Sequence, residues 1–175
     1  IIYYLLNSLP GVRCERVFHI AEDLEDFIRK GETDFRSLES KTPVKEFDFL
    51  GFTLQYEMSY TTVLNMLDLA GLKLRSKDRL EEDPIVVAGG PCTVNPEPLS
   101  PFIDLFYIGD AEIHLPELME LKKLFPKKED FLKAAVELDG VYVPAFYEEV
   151  YEEGTLIGHR KLYDKAPLPV KRNIV

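Results

Sequence analysis

The chain has 175 residues, 46% of them hydrophobic, so it can bury the core of one ordinary domain. Acidic residues outnumber basic residues by 31 to 21, and the formal net charge is −10. This charge repels a phosphate backbone and argues against nucleic acid as a partner. No apolar run approaches the roughly 20 residues that a membrane-spanning helix needs, so we expect a soluble protein without a membrane partner.

The cysteines suggest the cellular location of the protein, and the two ends of the sequence suggest that it is part of a longer chain. Cys14 and Cys92 are too few and too widely spaced for a disulfide framework or a cysteine-rich metal site, so a reducing cytoplasm is the expected location. The chain opens inside an apolar helical pattern that has no capping residue ahead of it. It closes on a proline-stiffened stretch, 166–173, that is typical of a linker. We expect the sequence to be part of a longer protein.

Short apolar runs alternate with helical patterns through most of the chain. In chain order, we predict a helix at 1–9, a strand at 14–20, a helix at 23–30, a short stretch around Leu38 that could be a strand, a strand at 47–54, a helix between Ser59 and Gly71, strands at 85–88 and 105–108, and helices at 112–125 and 128–138. This alternation predicts an α/β fold with a doubly wound parallel sheet that is covered on both faces.

The last part of the sequence has a different pattern. Residues 141–151 are rich in aromatic and β-branched side chains, and a turn at 152–155 separates them from another apolar pair at 156–157. This pattern predicts an antiparallel hairpin. We therefore expect an α/β domain over residues 1–139, followed by a hairpin and linker extension over 140–175.

Candidate ligand-binding residues follow the predicted strands, because a doubly wound sheet binds its ligand outside the carboxyl ends of its strands. They are Gln55, Tyr56 and Glu57; Gly89, Gly90 and Pro91; and Gly109, Asp110 and Glu112. Glycines let a backbone approach a bulky ligand, and amides ahead of a helix can hold a polar tail. Two alternatives stay open: the Gly-Gly-Pro segment is a tight strand exit, and Asp110 or Glu112 caps the next helix.

Familiar catalytic and nucleotide-binding signatures are missing from the sequence. Neither G-x-G-x-x-G nor G-x-x-x-x-G-K-[ST] occurs, which argues against a dinucleotide site and a P-loop. The three histidines, His19, His114 and His159, have no metal-ligand spacing and are interpreted as structural or surface residues. Without a convergent nucleophile and base, we predict no catalytic residue and no metal ligand, and enzyme activity of this chain is left open.

Nine distinctive short motifs are spread along much of the chain. They are Asn7-Ser8, Glu15-Arg16-Val17-Phe18, Ser37-Leu38-Glu39-Ser40, FDFLGF at 47–52, Leu54-Gln55-Tyr56-Glu57, NMLDLAG at 65–71, Gly89-Gly90-Pro91-Cys92, Asn95-Pro96-Glu97-Pro98 and Ile108-Gly109-Asp110. Together they resemble the N-terminal part of bacterial radical SAM proteins that carry a cobalamin-binding-like domain, often labelled Fe-S oxidoreductases. The resemblance implies a flavodoxin-like (Rossmann-like) domain ahead of a radical SAM barrel, which would be its partner in the same polypeptide.

The resemblance also implies where the cofactors belong. A radical SAM barrel holds a 4Fe-4S cluster through C-x-x-x-C-x-x-C and binds S-adenosylmethionine, and the two cysteines here cannot supply that motif. Cluster and S-adenosylmethionine are therefore expected outside this chain. In such relatives a strand ahead of the first helix lies inside the sheet, and this sequence lacks that strand. Without it the sheet would miss a central member, so either residues upstream are absent from this sequence or another part of the chain fills the gap.

Cobalamin is the cofactor that the resemblance implies for this domain, although the D-x-H-x-x-G motif that supplies an axial histidine is missing. The loop at 55–57 would face the corrin ring, and Gly89, Gly90 and Gly109 would line the nucleotide tail. The first hypothesis is thus a cobalamin-binding accessory domain that is inactive alone. The alternative is a structural domain that binds no cofactor and positions or covers the barrel.

Overall fold

The computed structural model describes residues 1–174 and contains a four-stranded sheet and a separate two-stranded hairpin. Within the sheet, neighbouring strands follow chain order: β1 (Phe49–Thr53), β2 (Ile85–Gly89), β3 (Leu105–Tyr107) and β4 (Val141–Tyr142). The first three strands are parallel, and β4 runs antiparallel to β3. The prediction of a mixed α/β fold with a mostly parallel sheet is confirmed.

The α-helices of the described chain each coincide with a helical pattern in the sequence. They are α1 (Ile2–Asn7), α2 (Glu22–Arg29), α3 (Tyr60–Leu69), α4 (His114–Leu124) and α5 (Lys128–Ala135). In α5, the buried residues Phe131, Leu132 and Ala135 recur at helical spacing, and the Phe131 ring packs edge-on against Phe49 of β1 at 5.5 Å between centroids. Burial of such apolar faces against the sheet holds these short helices in place.

Burial increases from β1 toward the centre of the sheet. Only Leu50 of β1 is buried, whereas Ile85, Val86 and Ala88 of β2 and all residues of β3 are buried. A strand whose consecutive side chains are all buried must be covered on both faces. The continuous apolar runs of β2 and β3 in the sequence reflect this position.

Residues 14–20 do not form a strand, contrary to the prediction from their apolar pattern. Their backbone groups find other partners. The amide and carbonyl of Cys14 both bond to the side chain of Asn7 at 3.0 Å, and the amide of Arg16 donates to Glu39 Oε2 at 2.8 Å. Because these side chains satisfy the backbone, the segment is extended without a strand partner. The stretch around Leu38 is not a strand either.

The hairpin is confirmed, but it is shorter than predicted. Its strands are β5 (Tyr147–Glu152) and β6 (Thr155–Lys161), joined by a turn in which Glu153 and Gly154 have positive φ angles of 48° and 80°. The predicted first part of the hairpin, β4, instead pairs with β3. Residues 141–143 are all buried, and such a run fits a strand that is covered on both faces better than a hairpin with one solvated face.

The strand order of the described sheet leaves one edge open at β1, and β4 lies at the other edge. All four strands are contiguous, and β1 pairs directly with β2 along its whole length. No gap lies between these strands, so the sheet of residues 1–174 forms without the strand that the resemblance places ahead of the first helix. This part of the chain also lacks the reversal of strand order that defines a doubly wound sheet. The flavodoxin-like arrangement stays a prediction.

The hydrogen bonds between β1 and β2 show which amides face the open edge. The amide of Ile85 donates to the carbonyl of Asp48 at 2.9 Å, and the amide of Leu54 donates to the carbonyl of Gly89 at 2.7 Å. In a parallel pair, alternate residues of one strand bond to the same neighbour. The backbone groups therefore alternate in direction. They face β2 at residues 48, 50, 52 and 54, and they face the open edge at residues 49, 51 and 53.

We expect this alternation to appear in amide hydrogen exchange. The amides of Phe49, Gly51 and Thr53 should exchange about tenfold or more faster than those of Leu50 and Phe52, because they lack a strand partner. Exchange measured by NMR on the chain of 175 residues checks this. Equal protection of both sets would contradict the open edge. Protection that appears only in a longer form of the protein would reveal a further strand beside β1.

Candidate functional site

The carboxyl ends of β1, β2 and β3 lie along one edge of the sheet, which we term the carboxyl edge. The predicted site residues all lie there, on the segments that end or follow these strands. Gln55, Tyr56 and Glu57 follow β1; Gly89, Gly90 and Pro91 end and follow β2; and Gly109, Asp110 and Glu112 follow β3. The topology thus brings three sequence-distant segments to one edge.

The loop after β1 presents its side chains to solvent. Gln55, Tyr56 and Glu57 are all exposed, and the Tyr56 side chain retains 59% of its accessible surface. A 3-10 turn, Glu57–Ser59, then leads into α3. Ser59 precedes α3 as predicted, but its hydroxyl donates to the carbonyl of Tyr56 at 2.7 Å instead of capping the helix.

The Gly-Gly-Pro segment packs against the end of β1. The Leu54 amide donates to the Gly89 carbonyl at 2.7 Å, and the Cys92 amide donates to the Leu54 carbonyl at 3.1 Å. Gly90 has a φ angle of +103°, and a Cβ atom there would lie 2.8 Å from the Leu54 oxygen. Glycine is therefore required for a tight strand exit, the structural alternative for this segment.

The C-terminal segment of the described chain covers the loop after β3. The Asn173 amide donates to the Ile108 carbonyl at 3.0 Å, and the Asp110 amide donates to the Asn173 carbonyl at 3.1 Å. Gly109 has a φ angle of +113°, and a Cβ atom at this position would lie 1.9 Å from the Asn173 oxygen. The backbone around residue 173 thus fills the space that this glycine leaves.

Side chains fasten the same segment. The Asn173 amide nitrogen Nδ2 donates to the Tyr107 hydroxyl at 3.0 Å and to the Asp110 carbonyl at 2.7 Å. The Tyr107 hydroxyl also lies 2.5 Å from His114 Nδ1. Sequence patterns did not single out Tyr107 or Asn173, because the two residues are 66 positions apart and carry no local signal of contact. We term Tyr107, His114 and Asn173 the latch.

Burial raises the pKa of the Tyr107 hydroxyl to about 12. The folded state therefore disfavours the phenolate, and the resulting stability is complete below about pH 10 and is lost as the pH rises toward 12. We expect Tyr107→Phe to reduce this alkaline loss, measured as the difference in the free energy of unfolding between about pH 9 and pH 11. Tyr147, whose pKa burial also raises to about 12, stays in both proteins as an internal reference. An unchanged difference would contradict the assignment.

Other polar groups near the edge lack the features of a reactive centre. Helix α4 has Ile113 at its N-cap position, and the Ile113 side chain makes no cap hydrogen bond. Cys92 is buried, and burial followed by the carboxylates of Glu39 and Glu15 raises the pKa of the Cys14 thiol. This environment of Cys14 disfavours a thiolate. Within residues 1–174, no three His, Cys, Asp or Glu side chains are grouped to hold a metal ion.

Comparison with known proteins identifies the family. Residues 1–144 match the family described as radical SAM proteins, N-terminal. The chain belongs to this family. The uncharacterized protein MJ0966 of Methanocaldococcus jannaschii is 32% identical over 114 residues, which cover 63% of this chain and 23% of that protein. The match thus spans about a quarter of that relative's length. No solved structure matches the chain significantly.

The carboxyl edge of this radical SAM N-terminal domain does not fit cobalamin as it is arranged here. Two glycines expected beside the nucleotide tail, Gly90 and Gly109, contact the backbone of Leu54 and Asn173 instead. The two described cavities are lined by none of the predicted site residues. None of the helices in residues 1–174 has the length and apolar character needed to cross a bilayer.

Proposed function

We propose that this chain is the N-terminal accessory domain of a radical SAM protein and that it positions or covers the radical SAM domain of the same polypeptide. Its membership of the family supports the first part. The proposed positioning or covering role is supported by the backbone of Asn173, which occupies the space beside Gly109. The protein's own backbone fills the carboxyl edge beside Gly109, so a cofactor tail cannot bind there. The exposed loops along the same edge can contact another domain.

In this proposal the radical chemistry takes place in the rest of the protein. The family suggests a 4Fe-4S cluster and S-adenosylmethionine in the parent protein. The three-cysteine motif that holds such a cluster cannot be formed by a chain with two cysteines. We expect the chain alone to be inactive in this chemistry. A reducing cytoplasm is the location we propose, because both cysteines are free thiols.

Cobalamin binding is the second candidate function, and the gathering of all predicted site residues at one edge favours it. In that case the loop at 55–57 would face the corrin ring, and Gly89, Gly90 and Gly109 would lie along the tail. For this to happen, the C-terminal segment would have to leave Gly109. The two candidates therefore differ in whether the latch opens.

Hydroxocobalamin separates these candidates. The chain is incubated with the cofactor and desalted, and its absorption spectrum is recorded beside that of a shortened chain ending at Pro169, in which Gly109 is uncovered. We expect neither protein to retain a corrin band. Stoichiometric retention by either protein would overturn the proposal that the domain holds no cofactor, and retention by the shortened chain alone would show that the C-terminal segment blocks the site.

A further inference from the structure

The carboxyl edge exposes a large apolar side chain on each of its three loops. Tyr56 and Met58 after β1 are 59% and 80% exposed, Val94 after β2 is 69% exposed, and Ile113 after β3 is 51% exposed. Single exposed apolar residues are common on any protein surface. Four of them follow the strands of one sheet edge, which makes this edge a candidate interaction surface. We term these four residues the edge cluster.

The path of the chain indicates what covers the edge cluster. The latch and two backbone hydrogen bonds hold Asn173 beside the end of β3, so a domain that follows this segment would begin from an exit at this edge. In the relative from Methanocaldococcus jannaschii, more than three quarters of the protein lies outside the matched region. A domain attached at this exit starts beside the edge cluster, which favours contact because a short connection gives a high effective concentration.

The charges beside the edge cluster describe the matching surface. Glu57 and Glu112 are exposed on the same loops, and the chain carries a net charge of −10. Interfaces combine an apolar centre with a charged rim of complementary sign. The partner surface should therefore be apolar at its centre and carry lysine or arginine at its rim.

We infer that the edge cluster is the face on which the radical SAM domain of the same polypeptide docks. This inference rests on the proposed function and adds the surface and the chemistry of the contact. The hairpin also exposes apolar residues, Tyr151, Leu156 and Ile157, with 57%, 47% and 58% of their surface accessible. The hairpin forms a sheet separate from the strands of the carboxyl edge, so it serves as the comparison surface.

Hydroxyl-radical footprinting of the full-length protein tests the inference. The oxidation rate of Met58, Val94 and Ile113 is compared with that of Leu156 and Ile157, each relative to the denatured protein. Because the centre of an interface excludes water, we expect the edge residues to react roughly tenfold more slowly than the hairpin residues. Reactive edge residues would overturn the inference. Edge protection that appears only at high protein concentration would do so as well, because it would mean that a second copy covers this face.

A pair of matched variants gives an independent readout in the full-length protein. Met58→Glu places a charge in the edge cluster, and Ile157→Glu places the same charge on the hairpin. We expect a protease to cleave the Met58→Glu variant roughly tenfold faster than wild type in the connection that follows residue 161, because loss of docking exposes that connection. The Ile157→Glu variant should be cleaved at the wild-type rate. The reverse result would place docking at the hairpin, and the proposed function would stand. Rapid cleavage of wild type, with both faces reactive, would remove the proposed function itself.

Discussion

Replacing Asp104 with asparagine should lower the free energy of unfolding by about 3 to 5 kcal/mol. The Asp104 side chain is 3% exposed at the start of β3, and its oxygens lie 2.7 Å from Arg79 Nη1 and 2.9 Å from Lys128 Nζ. Arg79 is fully buried. Without the carboxylate, two cations would remain close together where water cannot solvate them, and that penalty explains the large expected effect.

The same carboxylate joins several parts of the fold. Asp104 Oδ2 also accepts a hydrogen bond from the Val86 amide at 2.7 Å, while Arg79 donates to the carbonyls of Lys73 and Leu74 at 3.0 and 2.8 Å. Burial lowers the pKa of Arg79, and the negative charge of Asp104 opposes that shift. The ion cluster therefore ties the loop ahead of β2 to the amino ends of β2 and β3, opposite the carboxyl edge.

Urea unfolding measures this effect, with Glu129→Gln as the matched control. Glu129 forms an exposed ion pair with Lys133 on α5, and we expect no measurable change when it is removed. The double variant Asp104→Asn, Lys128→Met should lose less stability than the sum of the two single variants, because removing Lys128 also removes a stranded cation. Additive losses, or a loss from Asp104→Asn as small as the control's, would contradict the role of the cluster.

Gly109→Ala should destabilise the chain by about 3 kcal/mol and release the C-terminal segment. The positive φ angle costs a non-glycine residue about 1 to 2 kcal/mol, and steric overlap inside a packed region costs a further 1 to 3 kcal/mol or so. Here the overlap is with backbone, because the added Cβ would lie 1.9 Å from the Asn173 oxygen. A backbone atom cannot rotate away as a side chain can, so the segment itself must move.

Two comparisons isolate the overlap from the φ penalty. Gly154→Ala in the hairpin turn has a φ angle of +80° and nothing within 4 Å of the added Cβ, so it should cost only about 1 kcal/mol. In a chain that ends at Pro169, Gly109→Ala should cost no more than this control. Urea unfolding gives the free energies, and exchange of the Asp110 amide, which donates to Asn173, reports release of the segment. An Asp110 amide that stays protected in Gly109→Ala would show that the segment is not released, which would contradict the predicted overlap.

The sequence was informative wherever a local pattern decides the structure. The β-branched run of β2 predicted a buried strand, the spacing of Phe131, Leu132 and Ala135 predicted α5, and the turn at Glu153 and Gly154 predicted the hairpin. The motifs resembled the family to which the chain belongs. All of these signals come from residues that are close in the chain, so side-chain period and turn chemistry are sufficient to read them.

Predictions were wrong where distant residues compete for the same backbone groups. Residues 14–20 have the pattern of a strand, yet Asn7 and Glu39 satisfy backbone groups that a neighbouring strand would have used. Residues 141–142 look like part of the hairpin, yet β3 offers them a buried partner. Local propensity cannot rank such alternatives, because their free energies depend on which segments meet in the fold.

By itself, the sequence determined the family, the α/β class, the positions of the helices and of most strands, and the placing of the candidate residues at strand ends, since apolar periodicity and glycine placement act locally. Only the tertiary structure decided that the chain's own backbone packs against Gly90 and Gly109. It also decided that Asn173 covers the carboxyl edge beside Tyr107 and that the loops of this edge expose apolar side chains. A glycine is open to any close neighbour, and which neighbour occupies the space is settled only when distant parts of the chain are packed together.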